Sequence, residues 1–188
     1  MSPGGGDFDR AVALVLELEG GPSDDPADPG GATRFGVSLR YALSVGDRDR
    51  DGWADFDVDR DGDVDAADIR ALPRERAVAE YERAFWSAHR CGELPSRLGV
   101  ALFDGVVNMG RPAARLLQEA LGVEPDGQVG PLTLAAARRA EREARVLDVL
   151  GDYLARRAVF YAWLSTFPRF GRGWMRRLFA VHRACLRL

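Results

Sequence analysis

The first third of the chain places a glutamate where an apolar helix meets a segment rich in glycine and proline. The glutamate is Glu19, and residues 8–18 before it carry apolar side chains at helical spacing. Asp28 follows nine residues later and Thr33 fourteen residues later. Cleavage of a glycosidic bond needs such a set: a protonated acid, a second carboxylate and a small polar group that holds a water. These three residues are therefore the candidate catalytic group.

The position of Glu19 predicts an acid that keeps its proton. Gly20 and Gly21 can adopt positive φ and so end the helix at Glu19. The carboxyl group then lies at the negative end of the helix macrodipole, against apolar surface, and both effects disfavour its charged form. We therefore expect a raised pKa and the role of general acid. The alternative is a solvated glutamate in the last helical turn, which is a common position for this residue.

The segment after the helix predicts a tight hairpin near residues 22–38. Three prolines and a Gly-Gly pair within residues 22–31 exclude a helix there. A hairpin that folds back over the helix end would bring Asp28 and Thr33 close to the candidate acid. Asp25 is a weaker candidate for the second carboxylate and a candidate substrate contact. The alternatives are an Asx-turn for Asp28 and an ordinary strand position for Thr33.

The segment from Glu19 to Val37 resembles the signature of glycoside hydrolase family 108, which comprises lysozyme-like N-acetylmuramidases of phages and bacteria. The eight residues between Glu19 and Asp28 also match the spacing of phage-type lysozymes, whereas the next gap, to Thr33, is four residues rather than five. The resemblance continues through Phe85-Trp86, Leu94-Pro95, Phe103-Asp104, Asn108-Met109-Gly110, Leu117-Gln118, Asp126-Gly127, Gly130-Pro131-Leu132-Thr133, Phe160-Tyr161 and Gly173-Trp174.

This resemblance implies a mainly α (α+β), two-lobed lysozyme-like fold with a small β hairpin. A catalytic lobe is expected at residues 7–95, with an insert at 47–70, and a helical peptidoglycan-binding-like lobe at 96–188. The implied reaction is hydrolysis of the β-1,4 bond between N-acetylmuramic acid and N-acetylglucosamine, without a catalytic cofactor. Glu19 would be the general acid, Asp28 the second carboxylate and Thr33 the residue that positions the water.

Apolar periodicity predicts the helices that position these residues. Their expected ranges are residues 66–72, 74–89, 98–108, 113–121, 132–149, 148–166 and 174–188, with Phe167-Pro168 as a break before the last. Asn108 is a candidate for lining a sugar cleft, or alternatively a helix cap. Tyr161 is a candidate for stacking on sugar, although aromatic residues at this spacing mostly belong to the core.

The insert predicts a calcium site. Residues 47–68 hold ten aspartates, and residues 57–68 fit the EF-hand loop, which needs oxygen ligands at positions 1, 3, 5, 7, 9 and 12 and glycine at position 6. The residues at those six ligand positions are Asp57, Asp59, Asp61, Asp63, Asp65 and Asp68, with Asp63 offering its backbone carbonyl. We expect structural Ca²⁺ here, with a disordered acidic linker as the alternative. The half-loop at residues 47–52 repeats the pattern but lacks a carboxylate at position 12.

Charge and cysteine content suggest further properties. All 26 basic residues are arginines, and residues 138–188 hold twelve of them against four acidic residues. The basic C-terminal helix therefore suggests weak contact with anionic envelope polymers or membrane surface, with solvated helix faces as the alternative. No nucleic-acid recognition motif accompanies the arginines. Cys91 and Cys185 are expected to be buried thiols, although a single bridge remains open.

The N-terminus lacks the features of a secretory signal, and no apolar run is long enough to span a membrane. We expect a monomer that is made in the cytoplasm and acts on the periplasmic cell wall after release. The resemblance implies the setting of host lysis by a phage or phage-like element.

Three rival functions stay open. A lytic transglycosylase would need only the acid. A non-catalytic peptidoglycan-binding or scaffold protein could keep the fold, since Pro22 replaces an aromatic residue usual in the family. A calcium-dependent adhesion module would need two full loops.

Overall fold

The computed structural model describes residues 5–19 and 31–188. These residues belong to two compact units, one comprising Met1–Val15 and Glu82–Leu188 and the other Leu16–Tyr81. The α-helices of the described residues are α1 (Gly5–Glu19), α2 (Leu39–Val45), α3 (Ala66–Ala71), α4 (Arg74–Tyr81), α5 (Ser96–Met109), α6 (Pro112–Leu121), α7 (Pro131–Arg142), α8 (Val146–Ala162) and α9 (Phe167–Cys185). The predicted mainly α fold with a small hairpin is confirmed. The predicted division into lobes at residues 7–95 and 96–188 stays a prediction.

The hairpin consists of β1 (Thr33–Arg34) and β2 (Val37–Ser38), which pair antiparallel. Phe35 and Gly36 connect the strands and both have positive φ, 51° and 75°. Two successive residues with positive φ form the turn that matches the right-handed twist of a two-residue hairpin. The hairpin expected near residues 22–38 is therefore present in its last part, and the remainder lies outside the described residues.

The acidic insert is part of the core of the unit Leu16–Tyr81 and is not a separate linker. Its Phe56 and Ile69 are buried together with residues of the hairpin and of α2 and α4. The buried core residues of this unit are Ala32, Val37, Ala42, Phe56, Ile69, Leu72 and Ala77. Because the insert supplies large apolar side chains to this core, its conformation and the stability of the unit depend on each other.

In the other unit, α5 packs against α6, α8 and α9. Its residues from Leu98 to Val106 are buried, so α5 is the central helix of this unit. Phe8, Trp86 and Phe103 form an aromatic cluster beside it, with ring centroids 5.6–6.0 Å apart. Such offset and edge-on ring contacts add to the stabilisation from burial.

Two helix predictions in this unit were wrong. The helix expected over residues 132–149 is interrupted between α7 and α8, where Ala144 has a φ of 56° and the amide of Arg145 donates to the carbonyl of Ala140 at 2.8 Å. No glycine or proline marks this break. Pro168 was expected to lie in a break between two helices. It lies instead in the first turn of α9, where its missing N–H would have had no helical partner.

The helix predicted over residues 74–89 also differs. The α-helical part ends at Tyr81, and Glu82–Ser87 continues as a π-helix before a short 3₁₀ turn, Cys91–Glu93. π-Helical turns are rare, and the sequence carried no signal for one. The other predicted helices agree with the structure to within a few residues, apart from the last, which begins earlier. None of the helices in the described part of the chain combines the length and apolar character that a membrane span requires.

Candidate functional site

The candidate acid, the hairpin turn and a tyrosine meet at the end of α1. Glu19 is the last residue of that helix. A methyl group placed on Gly36 would lie 3.4 Å from Cγ of Glu19 and only 2.0 Å from the hydroxyl oxygen of Tyr81. The glycine therefore lets the hairpin turn approach both side chains. The sequence predicted a role for Glu19 and none for Tyr81.

Glu19 is exposed, whereas the sequence suggested a position against apolar surface. Its place at the very end of α1 explains this, because no further helical turn of that element covers it. Tyr81 beside it is buried. An exposed carboxyl group that rests against a fixed turn is accessible to a polymeric substrate while its own backbone is held by the helix.

Thr33 begins β1 and is half-buried, and its hydroxyl donates to the carbonyl of Gly31 at 3.3 Å. It therefore occupies the strand position that was the alternative to its catalytic role. Asp25 and Asp28 lie outside the described residues. The roles predicted for Asp25, Asp28 and Thr33 stay predictions.

A network of charged groups braces α4 next to the tyrosine. Arg48 donates to Glu80 at 2.8 Å and to Asp55 at 2.6 Å, and the hydroxyl of Tyr41 also donates to Glu80. Burial and the adjacent Glu80 carboxylate raise the pKa of Tyr41. Burial alone would raise the pKa of Asp55, but hydrogen bonds from Arg48 outweigh it and hold that pKa below its usual value. These contacts tie the acidic insert to the residue that precedes Tyr81.

Two of the three residues predicted to contact substrate, Asn108 and Tyr161, lie together in the other unit. The hydroxyl of Tyr161 donates to the side-chain oxygen of Asn108 at 2.5 Å and accepts from Arg157 at 3.2 Å. Tyr161 is only 2% exposed, and its ring stacks on Trp174 with centroids 5.1 Å apart. In this structure the tyrosine is a core residue whose hydroxyl binds Asn108, and stacking of Tyr161 on sugar stays a prediction.

The aspartate of the Phe103-Asp104 pair is a buried charge that the sequence did not explain. Asp104 accepts from Arg157 and from Arg177, each at 2.7 Å. Arg157 is fully buried as well. The sequence did carry a signal for a buried ion pair, because Asp104 is a charged residue within an otherwise apolar stretch of α5.

The Leu-Gln and Asp-Gly elements of the C-terminal half form one hydrogen-bonded turn. Gln118 is buried, its amide nitrogen donates to Asp126 at 2.7 Å, and its amide oxygen accepts from the backbone of Gly127 at 2.8 Å. Hydrogen bonds from Gln118 and from the Gln128 backbone hold the pKa of Asp126 below its usual value. These motif residues therefore stabilise the conformation of the turn at Asp126 and Gly127.

The acidic insert brings carboxylates together in three groups. Within each group, one carboxylate oxygen per residue lies within 4.8 Å of the others. The groups are Asp47, Asp49 and Asp55; Asp57, Asp59 and Asp61; and Asp63, Asp65 and Asp68. The last two contain all six residues predicted to bind calcium.

Comparison with known proteins decides the family. A family model described as Glycosyl hydrolase 108 matches residues 12–110, which is more than half of the chain. The chain belongs to glycosyl hydrolase family 108. A second model, described as Predicted Peptidoglycan domain, matches residues 112–179 of this family 108 member.

The structure is similar to that of SagA from Brucella abortus. The two are 31% identical with a TM-score of 0.77, and the match covers 97% of this chain and 95% of that one. No curated protein sequence matched the chain. The predicted family and fold class are thus confirmed.

The family 108 match contains Glu19, Gly36 and Tyr81, whereas the peptidoglycan-domain match contains the turn held by Gln118. Together the two matches identify this family 108 member as a glycoside hydrolase whose substrate polymer is peptidoglycan.

Proposed function

We propose that the chain is an N-acetylmuramidase, a lysozyme-type enzyme with Glu19 as its general acid. The bond cleaved is the β-1,4 linkage between N-acetylmuramic acid and N-acetylglucosamine. The observation that carries the proposal is the meeting of Glu19, the Gly36 turn and the hydroxyl of Tyr81 at the end of α1. A glycosidase needs an acid held at a fixed place and open to a chain-like substrate.

The proposed reaction assigns one step to each predicted residue. Glu19 gives its proton to the glycosidic oxygen as the bond to the anomeric carbon breaks. Asp28 takes a proton from a water that Thr33 positions, and this water adds to the anomeric carbon from the opposite face. A water that lies between two widely spaced carboxylates leads to inversion at that carbon. The products are two sugar chains, one with a new reducing end.

A pair of isosteric variants tests the acid. Glu19→Gln removes the transferable proton, and we expect lysis of purified sacculi to fall by about 10²–10⁴-fold, the usual contribution of a general acid. Glu17→Gln is the matched control, because Glu17 lies two residues earlier on the same helix and is also exposed. It should clear sacculi at the wild-type rate. Equal activity of both variants would remove Glu19 from the mechanism.

Mass spectrometry of the digest separates the rival functions. A muramidase leaves reducing N-acetylmuramic acid ends, whereas a lytic transglycosylase leaves anhydromuramic ends without consuming water. Anhydro products would overturn the hydrolytic mechanism but keep an acid at Glu19. If the wild-type protein binds sacculi and releases no sugar, the chain is a binding or scaffold protein. NMR of the first-formed anomer tests the inversion.

The proposed biological role is that of an endolysin in a phage or phage-like element, acting on the periplasmic wall after release. An exposed basic surface on α9 is consistent with attachment to an anionic envelope. Its exposed arginines are Arg169, Arg172, Arg176 and Arg183. Attraction between such a surface and an anionic polymer weakens with salt. Binding of the protein to sacculi should therefore decrease as ionic strength rises.

A further inference from the structure

The acidic loop at residues 57–68 takes part in no step of the proposed reaction, yet its backbone is tightly organised. The amide of Gly62 donates to Oδ2 of Asp57 at 3.1 Å, and the amide of Asp61 donates to Oδ1 of Asp59 at 3.2 Å. Gly62 has a φ of 106°, which favours glycine at this turn. These hydrogen bonds hold the carboxylates of Asp57 and Asp59 against the backbone amides of the loop.

Asp57 carries the decisive feature. It is 4% exposed, and its Oδ1 is buried without a hydrogen-bond partner in the structure. A buried carboxylate oxygen without a donor is costly, so native proteins normally pair it with a hydrogen bond or a cation. Asp59 and Asp61 each bring a carboxylate oxygen to within 4.8 Å of Asp57 and of each other. Their charges add repulsion and supply no donor for the unpaired oxygen.

The far end of the loop closes onto its start. Asp68 is buried, and its Oδ1 accepts from the amide of Val58 at 2.6 Å while its Oδ2 accepts from the amide of Asp65 at 2.8 Å. Asp63 and Asp65 lie in the same carboxylate group as Asp68. The loop therefore brings its carboxylate oxygens, which are potential metal ligands, close together with an excess of negative charge.

We propose that the loop Asp57–Asp68 binds one Ca²⁺ ion, which pairs with the buried oxygen of Asp57 and holds the insert in the core of the unit Leu16–Tyr81. Five carboxylates and the backbone carbonyl of Asp63 suit a hard cation with six to eight oxygen ligands. The loop offers no sulfur or imidazole ligand, so zinc and copper are disfavoured. The insert places Phe56 and Ile69 in the core, so the ion stabilises the whole unit.

In the upstream acidic loop, which begins at Asp47, an arginine side chain neutralises part of the negative charge. There the amide of Gly52 donates to Asp47 at 3.0 Å and the amide of Asp51 donates to Asp49 at 3.2 Å, as in the second loop. However, the side chain of Arg48 binds Asp55 at 2.6 Å, and its amide also donates to that residue at 2.8 Å. The guanidinium group supplies the positive charge there, so we expect one calcium ion per chain rather than two.

Calorimetric titration of the full chain with calcium, after removal of metals and in excess magnesium, tests this site. The wild type should bind one ion per chain. Asp59→Asn removes one charged ligand and should weaken binding by about tenfold or more, since ligand charge tunes calcium affinity. Asp49→Asn makes the same change at the matching position of the upstream loop, and its affinity should equal that of the wild type.

Melting curves supply a second measurement that does not depend on enzymatic activity. Calcium should raise the Tm of the wild type and of Asp49→Asn, and much less that of Asp59→Asn. The side chain of Asp59 is exposed, so circular dichroism should show a folded variant. The proposal is overturned if the wild type binds no calcium up to millimolar concentration, or if both variants weaken binding equally.

Discussion

At the scale of single residues, Gly36 is the position where backbone conformation and the candidate site are linked. Its φ of 75° favours glycine, and its missing side chain leaves room for the hydroxyl of Tyr81. A side chain at this position is strained by the backbone and also collides with a group beside Glu19. The two effects can be separated, because another glycine of the same unit has only the first.

Gly36→Ala should lower the rate of peptidoglycan hydrolysis by more than its loss of stability explains. The left-handed conformation costs an alanine about 1–2 kcal/mol, and the methyl group would lie 2.0 Å from the Tyr81 hydroxyl unless that side chain moves. A displacement of about 1 Å at a reacting group can lower the rate roughly 10²-fold. The measurements are the rate of sacculus lysis and the free energy of unfolding in urea.

Gly46→Ala is the matched control, because Gly46 has a φ of 65° and no atom within 4 Å of an added methyl group. With a ψ of −155°, Gly46 lies in a region that disfavours other residues at least as strongly, so this variant should lose at least as much stability as Gly36→Ala and keep its activity. If both variants lost activity to the same degree, backbone strain alone would explain the loss, and the close approach of Gly36 to Tyr81 would have no separate effect on activity.

At the scale of elements, a cluster of three charged residues inside the unit that contains α5 links three helices. Asp104 of α5 accepts hydrogen bonds from Arg157 of α8 and Arg177 of α9, each at 2.7 Å. Asp104 and Arg157 are completely buried. Removing one partner of such a pair leaves an uncompensated charge in the interior, which costs far more than the pair itself contributes.

Asp104→Asn should therefore destabilise the protein by about 3–5 kcal/mol. The measurement is equilibrium unfolding in urea, followed by circular dichroism. Asp152→Asn is the control: Asp152 also pairs with an arginine, Arg156, at 2.9 Å, but both side chains are exposed. An exposed pair of this kind contributes at most about 1 kcal/mol. A loss below that value for Asp104→Asn would contradict the importance of the buried pair.

At the scale of the whole molecule, the chemistry of the two cysteines is decided by burial. Cys91 and Cys185 are both free and buried. Burial raises the pKa of Cys185 to about 12, and it raises the pKa of Cys91 as well. Since the thiolate is the reactive form, both thiols should be inert while the protein is folded.

We expect Ellman's reagent at pH 8 to react with neither cysteine in the native protein and with both after denaturation. With a pKa of about 12, roughly one Cys185 thiol in ten thousand is ionised at pH 8. Ser87→Cys, at an exposed position, is the positive control and should react quickly. A native mass two hydrogens lower than that of the reduced chain would instead reveal a disulfide.

The sequence by itself determined the family, the mainly α fold, most helix positions and the outline of the acidic loop at residues 57–68. These features rest on local patterns: apolar periodicity, turn residues, and the spacing of Glu19 and of the aspartates. Such patterns can be recognised in the sequence alone because each depends on residues that are close together in the chain.

Only the tertiary structure decided which distant side chains meet. Glu19 and Tyr81 both approach the Gly36 turn, and Asp104 is buried between arginines; in each case the residues are far apart in sequence. The break at Ala144 and the π-helix after Tyr81 arise without glycine or proline. Tertiary packing imposed these conformations against the helix propensity of the local sequence. A short sequence pattern therefore could not predict them.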